Sequence, residues 1–542
     1  MVMSARLHAH RSCKIRFGAA RMKTKALVGS LAQILIAVNC LTQVLGANSM
    51  RDAVDDNGNR NPLGREVGAS AADARADLLA GCPQVPGVST FSGRAYVKFV
   101  SPDGSAASVD VDLAPGCETR ASDELVSAGF DLGKPTLLYS HGWQETSERG
   151  WMQTIRERYA THYPAPAGEK PFNLLQFDWS QASHLMYPQA VLSAPLLGKR
   201  LGSFLNALSH RYNYTMDNVH LIGFSLSTHI MGATGNELKR AGNVARQITA
   251  LDSAGPCFYT SSPFALANTL RPDAAQLVVA RHYGDDKYGA RAPIGGLDIY
   301  VNGGKNQPSV PTGGGRSRGK RDVLDAAGLR DHLATVLHEY NIVGERATDE
   351  RTCQSVAYRC DSYDRFLRGA CARCDSPADC VHLSPFEQAE RRPDEGVTRR
   401  RARMFIQTGP GARCLHHYQV VIEPKASASA NTLDALGSGR ARLELGVAGA
   451  AAARVGRATC GHGGPAFTAL LTSPVELSQP SLAGASIRSL AAAAEIASVQ
   501  LNYMSHEDAG VRAAKSITLC PIGGSGNGNR LAPDNGSCSS SC

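Results

Sequence analysis

The most constraining stretch of this 542-residue chain is Val219-His-Leu-Ile-Gly-Phe-Ser-Leu-Ser-Thr-His-Ile-Met-Gly232. An apolar run of strand length leads into Gly223-Phe-Ser225-Leu-Ser227, and a helical pattern follows at once. A strand that turns sharply into a helix through G-x-S pushes the serine hydroxyl out above the end of a sheet. The helix behind it offers free N–H groups and a positive dipole end to anything built on that hydroxyl. A bare G-x-S is common by chance, so the strand–turn–helix setting carries the weight. Ser227 stands where the full G-x-S-x-G pattern has a second glycine. That glycine normally lets neighbouring backbone pack close, so the next smallest residue is expected to leave the turn intact with some strain.

A serine nucleophile needs a base, and the base needs an orienting carboxylate. Asp252 follows the next apolar run in Ile248-Thr-Ala-Leu-Asp-Ser-Ala-Gly-Pro256, and His332 lies in Leu329-Arg-Asp-His-Leu-Ala334. Ser…Asp…His is a known chain order for such a set. With 16 histidines in the chain, order alone is modest evidence. Asp331 is an alternative orienting acid; Asp252 ranks above it because it ends a strand. His229, one helical turn past Ser225, reads as structural, and His282 and Asp298 read as scaffold.

Apolar runs at 96–100, 136–139, 172–177, 219–222 and 248–251 read as strands, and Leu197, Leu201, Phe204, Leu205 and Leu208 recur at helical spacing between two of them. This alternation predicts an α/β fold: an open, mostly parallel sheet with helices on both faces, over 81–390. Residues 47–80 are polar without period and read as a disordered linker, and 391–403 as a basic linker. Runs at 404–407, 418–422, 441–445, 498–503 and 516–519 between Gly/Ala/Ser-rich loops predict a separate β-sandwich over 404–522, with a flexible tail at 523–542.

The formal net charge of +9 is concentrated at one end: residues 1–46 carry seven Lys/Arg and no acid, leaving +2 for the rest. No nucleic-acid partner is therefore expected. Met22-Lys-Thr-Lys25, the apolar stretch 26–41 and Val44-x-Gly46 have the form of a secretory signal peptide within 1–46, with 1–21 as an N-terminal extension. A retained anchor is the alternative; the apolar stretch is shorter than the ~20 residues of a span. Fifteen cysteines, five of them between Cys353 and Cys380, favour an oxidising compartment and an extracellular protein. Cys360, Cys371, Cys374 and Cys380 fit disulfides better than a zinc site, because a secreted chain meets an oxidising compartment. Asn213-Tyr-Thr215 and Asn535-Gly-Ser537 are glycosylation sequons, each usable only at the surface.

Several segments together resemble the pancreatic-type lipases and related phospholipases A1. The 223–232 segment resembles G-H-S-L-G-A-H-x-x-G, and the 250–258 segment resembles G-L-D-P-A-x-P-x-F. Leu297-Asp-Ile-Tyr-Val-Asn-Gly-Gly304 is similar to L-D-F-Y-P-N-G-G; Ser140-His-Gly-Trp143 looks like the H-G-F/W turn, and Asp331-His332-Leu-Ala334 the histidine segment. Phe405-Ile-Gln-Thr-Gly409 with Tyr418 resembles the start of a PLAT-type sandwich. The likeness covers roughly 90–520. It implies the α/β-hydrolase fold with a C-terminal PLAT-like domain, Ser225 as nucleophile, His332 as general base and acid, and Asp252 orienting the imidazole. It also implies an oxyanion hole from the N–H groups of Trp143 and Leu226, and disulfides Cys360–Cys371 and Cys374–Cys380.

The implied activity is hydrolysis of lipid carboxylic esters, phospholipid or acylglycerol, through an acyl-enzyme by a secreted protein. The partner is then a lipid substrate or a lipid/water interface, with membrane-surface contact but no mature transmembrane helix. No metal or organic cofactor is indicated. The chain departs from the family at Phe224 for His, Ser227 for Gly, Ser253 for Pro, Gly296 for His and Val301 for Pro. None removes a member of the triad, but several touch its support. The alternative reading is a catalytically inactive relative that binds lipid or a partner surface. The short loop between His282 and Asp298 and the polar, cysteine-free run at 312–321 imply an open site, favouring phospholipid or water-soluble esters.

Overall fold

The computed structural model describes residues 81–86, 91–101, 108–148, 150–162, 170–285, 288–308, 329–343, 353–376, 378–386, 402–438, 442–444, 453–454, 456–457, 467–477, 486–488, 495–506, 508–521 and 531–533. The expected signal peptide, the 47–80 linker, the 312–321 run and Asn535 lie outside them.

Strands β1 (Tyr96–Val100), β2 (Ser108–Asp112), β3 (Thr136–Ser140), β4 (Asn173–Asp178), β5 (Val219–Phe224), β6 (Gln247–Leu251), β7 (Leu277–His282), β8 (Leu297–Val301), β9 (Val356–Arg359), β10 (Cys380–His382) and β11 (Ala402–Ile406) form one sheet. Their spatial order is β10-β9-β11-β8-β7-β6-β5-β3-β4-β1-β2. The run from β4 to β11 is parallel, and antiparallel strands close both edges. β3, β4, β5 and β6 are buried at every position. That follows from helices covering both faces, and it is why these segments read as unbroken apolar runs.

Helices α1 (Glu118–Ser127), α3 (Tyr187–Tyr212) and α4 (Ser227–Arg240) pack together and share one core with the sheet. Helices α2 (Gly150–His162) and α5 (Leu329–Ile342) contact each other, and a second cluster beneath α2 takes in Tyr139, Ile222 and Leu251. In α3 the predicted stripe Leu197, Leu201, Phe204, Leu205 and Leu208 is wholly buried. Each such side chain contributes about 1.5–3 kcal/mol of hydrophobic stabilisation. This is an α/β-hydrolase fold.

The predicted start of the second domain at 404 needs correction. β11 runs through the supposed linker end and joins the first sheet, parallel to β8 with Met404 opposite Ile299. Met404, Phe405 and Ile406 are all buried. Three consecutive buried residues, pointing to both faces, suit a covered parallel sheet better than the half-solvated strand of a sandwich. The next strand, His416–Pro424, is the first in a separate antiparallel sheet with Gly456–Arg457, Phe467–Ser473, Ile496–Tyr503, Ile517–Pro521 and Leu531–Pro533. A small sheet of Arg442–Glu444, Ala453–Arg454 and Ser486–Arg488 accompanies it. The tail assignment at 523–542 is likewise too broad. Leu531–Pro533 pairs back on Ile517–Pro521, and Leu531 is buried in the second core.

The cysteine-rich segment joins the two sheets. Phe366, Phe405, Leu470 and Met504 share one apolar cluster. Gln419 Nε2 donates to Gly369 O at 2.8 Å, and Thr468 Oγ1 to Arg368 O at 2.7 Å.

Candidate active site

β5 ends at Phe224 and α4 begins at Ser227, so Ser225 sits in the turn between them. Its φ is +57°, in the left-handed region that a serine adopts only under constraint. Two backbone bonds over-determine it: Ser225 N–H donates to Leu251 O at 2.9 Å, and Ala254 N–H donates to Ser225 O at 3.2 Å. A Cβ on Gly223 would meet Ser227 O at 2.8 Å, so the first glycine of the turn is required by close backbone approach. Ser225 is half-buried, which leaves its hydroxyl reachable.

Asp252 leaves the C-terminal end of β6 with φ +44° and is fully buried. Its Oδ1 accepts from Tyr283 N at 2.9 Å and Gly284 N at 3.1 Å. Its Oδ2 lies 2.7 Å from His332 Nδ1. His332 enters from α5, with its ring 4.7 Å from that of Phe224. The structure therefore joins Asp252 to His332 directly and Ser225 to the Asp252 strand. No Ser225–His332 hydrogen bond forms among the described residues. In serine hydrolases that bond often tightens only when substrate is bound.

Asp331, the alternative acid, is occupied elsewhere. Its carboxylate accepts from Asn306 N at 3.0 Å and Gln307 N at 2.8 Å, which anchors the loop after β8. His229 is buried between two backbone groups: Leu270 N–H donates to Nδ1 at 3.2 Å, and Nε2 lies 2.9 Å from Ala254 O. Burial lowers its pKa to about 3, so the ring is neutral and structural. His282 Nε2 lies 2.8 Å from Asp298 Oδ1, which also accepts from Ile294 N and Gly295 N and so folds the short loop between these residues.

Leu226 follows Ser225 at the start of α4, and Trp143 follows β3 in the 140–143 turn. That turn is tightly held. Gly142 N–H donates to Glu145 Oε2 at 2.7 Å, Gln144 N–H to Ser183 O at 3.0 Å, and Trp143 Nε1 to Leu185 O at 2.9 Å. Trp151 Nε1 also donates to Glu145 Oε2 at 3.2 Å. Burial raises the Glu145 pKa. His141 stacks on Trp179, and burial lowers its pKa to about 4.

Sequence reasoning does not find Glu145 as the tie of the 140–143 turn. A carboxylate three residues past Gly142 is the available signal. It also misses the contacts made by the substituted residues. Ser253, where the family has proline, places Oγ 2.6 Å from Thr228 Oγ1, which donates to Ser225 O at 2.8 Å. Farther along α5, Glu339 Oε2 accepts from Arg281 Nη1 at 2.7 Å, and Glu339 Oε1 accepts from the Tyr139 hydroxyl at 2.9 Å. This buried trio ties the helix of His332 to β7 and β3.

Cys360 is bonded to Cys371 and Cys374 to Cys380, which leaves no thiolate in that set for a metal. Two further bridges, Cys82–Cys257 and Cys353–Cys414, add to the pairs that the resemblance implies. Asn213 is exposed just past the end of α3, with φ +54°.

A serine on a left-handed strand–helix turn, with a buried aspartate–histidine pair beside it, defines the class as α/β-hydrolases. The family model described as Lipase matches residues 115–411, more than half of the chain, and the chain belongs to this family, the pancreatic-type lipases. It is 29% identical over 325 residues to lipoprotein lipase of Gallus gallus, covering 57% of this chain and 60% of that protein. It is 30% identical over 331 residues to human hepatic triacylglycerol lipase, again 57% of this chain and 60% of that protein. The chain thus spans about 60% of the length of these relatives.

Proposed function

We propose that this protein is a serine esterase that hydrolyses lipid carboxylic esters, phospholipid or acylglycerol, through an acyl-enzyme. The observation that carries the reading is the 2.7 Å Asp252–His332 contact beside Ser225 held at φ +57°. Asp252 fixes the imidazole tautomer, with Nδ1–H toward the carboxylate. His332 then takes the Ser225 proton as the hydroxyl attacks the ester carbonyl, and returns it to the leaving alcohol. The acyl group rests on Ser225 until water, activated by the same histidine, releases it. Trp143 N–H and Leu226 N–H receive the oxyanion, each donor contributing about 3–4 kcal/mol of transition-state stabilisation.

Among the described residues no helix is long and apolar enough to cross a membrane. The four described disulfides support folding in an oxidising compartment and hence an extracellular site of action. Exposed Asn213 fits glycosylation there. The antiparallel sheets after 416 support a PLAT-like domain that meets the lipid/water interface.

The test compares short-chain nitrophenyl esters, a labelled phospholipid and an emulsified triglyceride, with wild type beside Ser225→Ala. A rate that disappears in Ser225→Ala is the expected result, and the preferred ester names the substrate. Equal inertness of two folded, lipid-binding proteins replaces this reading with the binding-protein alternative.

A further inference from the structure

The second glycine position of the elbow is filled by Ser227, and its hydroxyl is fully engaged. Phe224 N–H donates to Ser227 Oγ at 2.8 Å. Ser227 Oγ in turn lies 3.0 Å from Ser140 O and 2.9 Å from Phe224 O, either of which can accept its single proton. The side chain has no solvent exposure. Ser140 is the last residue of β3, and the 140–143 turn follows directly. Phe224 is the residue before Ser225. One hydroxyl therefore bridges the strand that delivers the serine and the strand that delivers Trp143, where their register ends at Ser140 opposite Gly223. Buried backbone groups at the end of a ladder need partners, and a glycine side chain supplies none. Close approach of the turn is already provided at Gly223, so a second glycine is not needed for it.

We propose that Ser227 is a positioning residue that locks the nucleophile elbow to the 140–143 turn, fixing the spacing between Ser225 and the N–H groups of Trp143 and Leu226. The proposal rests on the reading of Ser225 as nucleophile. It reverses the expectation from size. Ser227→Gly, which restores the two-glycine pattern, is a harmful change in this chain.

The experiment makes Ser227→Gly and Ser227→Ala in the full chain and measures two things. Steady-state hydrolysis of p-nitrophenyl butyrate is expected to lose about 10- to 100-fold in kcat with KM unchanged, as for a small displacement of reacting groups. Hydrogen–deuterium exchange by mass spectrometry is expected to quicken together in the peptides covering 140–144 and 222–228, with other regions unchanged. Wild-type kcat in both variants overturns the proposal. So does faster exchange confined to 222–228, which marks a local packing role. If the wild type shows no Ser225-dependent turnover, the nucleophile reading fails. The exchange arm then still decides whether Ser227 couples the two segments. Ser227→Ala keeps the Cβ and carries the test if the glycine variant does not fold.

Discussion

Asp252 Oδ1 is caged by main-chain N–H groups, while the backbone bonds that hold Ser225 are supplemented by side-chain hydroxyls. The carboxylate accepts from Tyr283 N and Gly284 N and is closed in by Gly289, where a Cβ would stand 2.6 Å from Oδ1. The serine turn is braced by hydroxyls: Thr228 on Ser225 O, Ser253 on Thr228, and Ser227 on Phe224 N. A main-chain cage tolerates most substitutions in its own residues but none that add bulk at its glycines. A side-chain brace can be rebuilt from other residues. Three of the departures from the family pattern, at 224, 227 and 253, lie on the braced side, and all three side chains make contacts there.

The strongest break of this comparison is Asp252→Asn. The amide keeps the cage but can favour the wrong imidazole tautomer, so kcat is expected to fall on the order of 10⁴-fold, with little change in KM. Stopped assays on a soluble nitrophenyl ester check this, and a loss below about tenfold refutes the assigned role of Asp252. Next comes Gly289→Ala. The added methyl meets both Asp252 Oδ1 and Gly284 O, at 2.6 and 2.9 Å. Overpacking of this kind costs about 1–3 kcal/mol of stability, and displacement of the carboxylate lowers kcat about 100-fold. Calorimetry and kinetics on the one variant separate the two effects.

Ser253, on the braced side, gives a smaller response. Ser253→Ala removes one hydrogen-bond partner from Thr228 but leaves Thr228 on Ser225 O. One neutral bond is worth about 0.5–1.5 kcal/mol, so kcat falls at most about tenfold. A Ser253→Ala effect as large as that of Gly289→Ala would show that the two sides do not differ in the manner described.

What is legible in the sequence follows the same division. β5, the turn at Ser225 and β6 are legible because two short apolar runs, one closed by G-x-S and the next by Asp252, fit few arrangements besides neighbouring buried strands that end at one site. The α3 stripe is legible from its period. β11 is misplaced because its apolar run 404–406 is equally good as the first strand of a new domain. Only its partner β8, about a hundred residues earlier, decides between them. Ser227 reads as a source of strain because size is visible in a sequence and a bridging hydroxyl is not. The pairings Cys82–Cys257 and Cys353–Cys414 join residues far apart in the chain, which spacing does not reveal.

The smallest effect expected at neutral pH comes from the buried imidazoles, which lie on both sides. His229 and His141 serve the braced side, with pKa values lowered by burial to about 3 and about 4. His338 serves the other side. It lies 2.6 Å from the Tyr283 hydroxyl, and burial lowers its pKa to about 3. Each is neutral in the fold, whereas an unfolded histidine takes up its proton near pH 6.5. The unfolded state therefore binds more protons as pH falls through 6.5, and stability is lost from there down to about 3–4. Buried Glu145 and Glu339 have raised pKa values and act in the opposite sense, binding their protons in the fold above the ordinary carboxylate range. The histidines outnumber them, so the melting temperature is expected to fall steadily below pH 6.5 and to be flat from 7 to 8. Each histidine contributes a slope of up to about 1.4 kcal/mol per pH unit. His229→Gln and His338→Gln should each flatten the acid slope of the melting temperature by the share of one proton. A slope unchanged in both variants would place the acid sensitivity in groups other than these two histidines.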